Sequence, residues 1–137
     1  MTSTFYFGSA YNLPNEPGGG ARKARSIINL LERITDWHCT SRWPWSPFHG
    51  VGEIRMNVGP TPLTIATTDL VDISRADVVI LLANTGTCRG MHVELGVALA
   101  LDKPVFLHRH GEGTAFDSLT KPWEKVWEVS LEEEADR

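Results

Sequence analysis

Residues 69–105 concentrate side chains able to do covalent chemistry. They read DLVDISRADVVILLANTGTCRGMHVELGVALALDKPV. Glu94 stands where a helical pattern begins, after an apolar run and a glycine-bearing turn. A carboxylate in the first turn of a helix is stabilised by the helix dipole and stays ionised at neutral pH. At the carboxyl edge of a parallel sheet it is a candidate nucleophile or base. A glutamate that only caps its helix fits the same position. Gly96, two residues on, would let another backbone or a ligand approach closely. Cys88 lies near the same helix start, a setting that lowers a thiol pKa, but no base stands beside it in sequence.

Other chemistry-bearing residues have weaker patterns. His92 and Glu94 form H-x-E, which is not the HExxH metal pattern. His108 and His110 have the spacing of a two-ligand pair and no evident third ligand, so no metal and no cofactor is expected. Gly18-Gly-Gly20 precedes a helix and is either a phosphate cradle or a lid, without P-loop or dinucleotide spacing. Asn84 to Gly90, before a helix, has the makings of an anion nest. Trp43, Trp45, Phe48 and His49 are suited either to stacking on a base or to filling a core or subunit contact.

These residues need a scaffold, and the chain supplies an alternating one. Thr4 to Gly8 reads as a strand, Ser9 to Gly20 as a loop and Ala21 to Ile34 as an amphipathic helix with Ala24, Ile27, Ile28, Leu31 and Ile34 on one face. Trp37 to Thr40 is a second short strand. Residues 41–62 form a long loop with an extended piece at Glu53 to Val58. Thr64 to Arg75 is a helix with Ile65, Leu70 and Ile73 on its apolar side. Asp77 to Ala83 is a strand whose continuous apolar run implies burial on both faces. Met91 to Leu101 is a helix, Pro104 to His108 a strand and His108 to Thr114 a loop. A last strand is expected at Lys125 to Val129, then an acidic tail from Leu131 to Arg137. The alternation predicts one α/β domain over residues 1–137, a flavodoxin-like, Rossmann-like three-layer sandwich on a mostly parallel five-stranded sheet. Ligands of such sheets bind beyond the carboxyl ends of the strands.

Composition narrows the function. The chain has 137 residues, 42% hydrophobic and 22% charged, as in ordinary globular proteins. A net charge of −4 argues against a duplex nucleic-acid binder held by phosphate contacts. No apolar run reaches the roughly 18 residues of a membrane span, and no basic leader precedes the first strand. Cys39 and Cys88, the two cysteines, fit neither a disulfide framework nor a CxxC zinc site. Two free thiols in a reducing cytoplasm are expected.

The string ADVVI, a glycine-bearing turn and ELGVALALDKPV resembles the nucleoside 2-deoxyribosyltransferase family, which includes the related 2′-deoxynucleoside 5′-phosphate N-hydrolases. Thr4-Phe-Tyr-Phe-Gly-Ser9 resembles that family's first strand and loop. Thr68-Asp69-Leu70, eight residues before Asp77, is similar to its base-site segment. The resemblance covers most of residues 4–108. It implies that Glu94 attacks the anomeric carbon to form a glycosyl ester, that Asp69 contacts the leaving base and assists its protonation, and that Tyr6 holds the nucleophile. It also implies substrate contacts from Gly8, Ser9, Tyr11, Cys88 and Gly90. Six residues before the nucleophile the transferases carry an aspartate and the hydrolases a serine; this chain has Cys88. The hydrolases carry an arginine where this chain has Tyr11. Arg22, Lys23 or Arg89 would then have to supply a charge for a phosphate.

Three functions follow: transfer of a deoxyribosyl group between bases, hydrolysis of a (deoxy)nucleoside 5′-monophosphate with water as acceptor, or nucleotide sensing without catalysis. The partner is a small nucleoside or nucleotide, with no nucleic acid and no membrane. The family's habit of completing its sites from a neighbour implies a homo-oligomer, a dimer or higher.

Overall fold

Burial runs unbroken along the two central strands. Phe5, Tyr6, Phe7 and Gly8 of β1 (Thr4–Gly8) are all buried, as are Val79 to Leu82 of β3 (Val78–Ala83). Side chains alternate across a strand, so this pattern means that both faces of the sheet centre are covered. The structure, a computed structural model, describes residues 3–13, 15–46, 62–83, 89–109 and 121–122.

Among the described residues there follow three helices, a 3-10 turn and further strands: α1 (Gly19–Thr35), β2 (His38–Cys39), the 3-10 turn (Trp43–Trp45), α2 (Pro62–Arg75), α3 (Arg89–Ala100), β4 (Val105–Arg109) and β5 (Lys121–Pro122). The protein is α/β, and every strand pairing is parallel, in the order β2-β1-β3-β4-β5. The order changes direction between β1 and β3, which creates a crevice at their carboxyl ends. β1, β3 and β4 carry most of the sheet; β2 and β5 are two residues long.

β2 ends early because a side chain takes over its ladder. Thr40 N–H still donates to Phe5 O at 2.8 Å. Beyond it, Ser41 Oγ accepts from Phe7 N–H at 2.7 Å and donates to Phe7 O at 2.9 Å. The indole Nε1 of buried Trp43 donates to the same carbonyl at 2.7 Å. The segment after β2 therefore lies across the end of β1. Arg25 of α1 ties it down by donating to Pro44 O.

Several expectations need correction. α1 starts at Gly19, because Gly18 takes a left-handed φ of 74° and its N–H is held by Asn12 Oδ1 at 2.7 Å. Gly19 and Gly20 are buried, and a methyl group on Gly20 would strike the Ala10 and Tyr11 carbonyls. Gly20 thus packs directly under the preceding loop. The strand expected at 104–108 is present as β4, which runs one residue further, and His108 within it is buried. The edge next to β4 holds Lys121–Pro122; the strand expected at 125–129, the extended piece at 53–58, the turn at 84–88 and the acidic tail lie outside the described residues.

α2 departs most from its expected amphipathicity. Leu70, assigned to the core, is exposed, as are Leu63 and Val71. The inward side carries Asp72 and Ile73, fully buried, with Ile65, Thr68 and Asp69 half-buried beside them. This helix turns acids toward the sheet and part of its apolar complement outward, the reverse of what core packing alone dictates.

Candidate active site

Tyr6, Asp69 and Glu94 come from three elements and meet at one place. Tyr6 and Gly8 are two residues apart on β1 and share a face. α3 follows β3 and carries Glu94 down from the carboxyl edge onto that face. Gly8 makes the approach possible: a β-carbon there would collide with Glu94 Oε2 and would lie 2.7 Å from Leu81 Cδ2 and 3.3 Å from Tyr6 Cε1. α2 precedes β3 and contributes Asp69 from its inward side.

The three groups are electrostatically coupled. Burial pushes Glu94 well above the ordinary carboxylate range; the Asp69 charge adds to this, and the Tyr6 hydroxyl opposes it. Burial also pushes Tyr6 well above its ordinary range, reinforced by Glu94, Asp69 and Asp72, so Tyr6 remains a neutral donor. Tyr6 Oη and Glu94 Oε2 are buried without a hydrogen-bond partner in good geometry. They nevertheless stand near enough to shift one another. Catalytic hydrogen bonds are often long in ligand-free sites and tighten with substrate.

This corrects the expected origin of Glu94's charge state. The first turn of α3, which begins at Arg89, contains no acidic residue. Glu94 lies in the second turn, beyond the strongest reach of the helix dipole. Desolvation dominates, and the group resists ionisation. A β-carbon on Gly96 would meet no described residue within 4 Å.

Asp69 also lines a small open cleft of about 70 Å³ with Arg42, Trp43, Ser46, Thr64, Ile65 and Thr68. Asp69 thus stands between the cleft and the Tyr6–Glu94 pair. Arg42 was not singled out from sequence, nor was its partner Asp72. Arg42 donates to fully buried Asp72 through its backbone N–H at 3.1 Å and Nε at 2.9 Å, and Nη2 lies 2.7 Å from Asp72 Oδ1. The available signal was Asp69 and Asp72 at i, i+3, which share one helix face.

The remaining expected residues sit around this centre. Ser9 is half-buried just past β1. Tyr11 donates its hydroxyl to Ser46 O at 3.1 Å and packs a tilted ring 6.4 Å from Trp43. Gly90 is the second residue of α3. Arg22 pairs with Glu16. Trp45 is half-exposed. Cys88, Phe48, His49 and His110 lie outside the described residues. Cys39 is a free, largely buried thiol, pushed up to about 11 mainly by burial. Among the described residues no group of three or more His, Cys, Asp or Glu side chains is placed to hold a metal ion, and no helix is long and apolar enough to cross a membrane.

No family model matches the chain, and no curated protein does. Its fold is similar to the crystal structure of a conserved protein from Enterococcus faecalis V583, at 16% identity and a TM-score of 0.56. That likeness covers 97% of this chain and 87% of the other. At such identity it speaks for the fold alone.

Proposed function

We propose that this protein cleaves the N-glycosidic bond of (deoxy)nucleosides through Glu94 and transfers the deoxyribosyl group to a second base. The observation that carries the reading is the convergence of Tyr6, Asp69 and Glu94, from three separate elements, on one buried and coupled cluster beside a cleft. Three acids and a tyrosine facing inward are costly for a purely structural core, and perturbed titratable groups gather at functional sites.

Glu94 carboxylate attacks the anomeric carbon as the C–N bond breaks. The bonding pair leaves with the base, which takes a proton from the Asp69 carboxyl in the cleft. Neutral departure is easier than departure as an anion. The resulting ester, a retaining intermediate, is attacked by a nitrogen of the incoming base, whose N–H proton returns to the Asp69 carboxylate as Glu94 is released as carboxylate. Burial and the Asp69 charge hold Glu94 above its ordinary range, so bound substrate has to bring about the reactive state in which Glu94 carries the charge. Tyr6 donates to Glu94 and steadies that charge. Substrate contacts fall to Gly8, Ser9 and the start of α3 near Gly90, with Cys88 just before it in the sequence. No cofactor takes part.

Free nucleosides suit the site better than monophosphates. Tyr11 gives its hydroxyl to Ser46 where the related hydrolases carry arginine, and Arg22 is engaged with Glu16. Incubation with nucleosides and monophosphates, each with and without a second base, tests the reading. Base exchange on nucleosides supports it; release that needs a 5′-phosphate and ignores the second base favours the hydrolase instead.

The order 2-1-3-4-5 and the right-handed crossover rule favour a flavodoxin-like three-layer sandwich with α1 on one face and α2 and α3 on the other. Leu63 (77%) of α2, Val93 (62%) of α3 and Leu101 (47%) just past α3 are exposed. Such a surface favours a homo-oligomer. Light scattering that finds only monomer at micromolar concentration would remove that part of the proposal.

A further inference from the structure

We propose that Arg42 sets the base specificity of the Asp69 cleft, selecting bases that turn a carbonyl oxygen toward it over bases that turn an exocyclic amine. The inference rests on the nucleoside-cleaving reading above and names a feature of its substrate.

Arg42 is a built feature. Its backbone N–H, Nε and Nη2 all converge on one carboxylate, Asp72, which is fully buried. The Asp72 main chain is fixed in turn, since Thr40 Oγ1 donates to Asp72 O at 2.7 Å. Held along one edge, the planar guanidinium has little rotational freedom. Its side chain is nevertheless 58% exposed and forms part of the cleft wall shared with Asp69. The bonds to Asp72 engage Nε and Nη2, which leaves the Nη1 edge to meet a ligand.

The chemistry of that edge is one-sided. A guanidinium offers only donors and no acceptor. A carbonyl oxygen on the base completes the bond, whereas an amine presents N–H to N–H. The other polar wall residues do not make this distinction. Thr64 and Thr68 hydroxyls donate or accept as needed, and Asp69 is assigned to the departing nitrogen. Trp43 and Ile65 supply apolar surface for the flat ring.

The test uses a matched pair of 2′-deoxynucleosides: deoxyuridine, with a C4 carbonyl and an N3–H, against deoxycytidine, with a C4 amine and a bare N3. Wild-type protein should favour the carbonyl member. Arg42→Lys keeps a cation for Asp72 but has no second donor edge. Arg42→Gln combined with Asp72→Asn removes the charge pair together, so no buried carboxylate is stranded. In both, the carbonyl-to-amine ratio of kcat/KM should fall roughly tenfold to a hundredfold, the scale of one charge-assisted hydrogen bond. Thermal melts confirm that the variants are folded. An unchanged ratio in folded, active variants overturns the inference and leaves Arg42 as a partner of Asp72 only. If the wild type cleaves no nucleoside or monophosphate, the reaction itself is wrong and the specificity falls with it.

Discussion

Glu94 Oε2 occupies the space that a β-carbon would fill at Gly8. A β1 residue without a side chain and a buried acid on α3 are therefore one structural unit. Gly8→Ala should destabilise the protein by about 1–3 kcal/mol through overpacking. Much of that cost should vanish when Glu94→Ala is added, although Leu81 remains close. Chemical denaturation of the single and double variants measures the coupling; fully additive losses would show that the two residues do not meet.

Burying Glu94 has a stability cost whose pH dependence can be worked out. Its folded pKa lies above the ordinary value of 4.5, so between the two values the native state binds more protons than the unfolded chain. Stability then falls as pH rises through that window, by up to about 1.4 kcal/mol per pH unit. Glu94→Gln removes the burden. It should be little changed in stability near pH 4 and increasingly more stable than wild type toward neutral pH. Urea midpoints at both pH values check this; a constant difference would mean that Glu94 ionises normally in the fold.

How much of this was readable from sequence depends on what each residue's signal is. β1 and β3 were readable because strands covered on both faces are apolar without interruption. α2 was readable as a helix but not in its orientation: Leu70 follows core spacing, yet the inner positions are given to Asp69 and Asp72, and the charge on Asp72 is met by Arg42 from 30 residues away. The segment after β2 hid its role because prolines and tryptophans carry no period. Trp43 and Ser41 act by bonding to the Phe7 backbone, a contact with no local signature. Glu94 was a candidate from its place after a buried strand and a glycine-bearing turn, and the resemblance supplied its expected role. Its desolvation was not found, because that follows from the approach of Gly8 and Tyr6 in three dimensions.

Tyr6→Phe removes the group that opposes the rise in the Glu94 pKa. Activity requires ionised Glu94, so the acidic limb of kcat/KM should stand above the ordinary glutamate range in wild type. It should move to still higher pH in the variant, with a roughly tenfold to hundredfold loss at neutral pH. A pH–rate profile reads both. An unmoved limb would assign Tyr6 to packing alone.

Asp69→Asn tests the acid. The loss should be largest for poor leaving bases and partly spared for an activated leaving group that needs no proton. Comparing kcat for two such nucleosides gives the answer, and equal losses on both would make Asp69 a residue that only positions the ligand.

The covalent role of Glu94 is the centre of the account, and acid-quenched mass spectrometry of the intact protein during turnover of a nucleoside addresses it directly. The account predicts a mass increase equal to one deoxyribosyl unit, mapped by peptide analysis to the Glu94 side chain and absent from Glu94→Gln, whose base release falls by several orders of magnitude. Base release by folded Glu94→Gln at the wild-type rate, with no adduct on either protein, would contradict it.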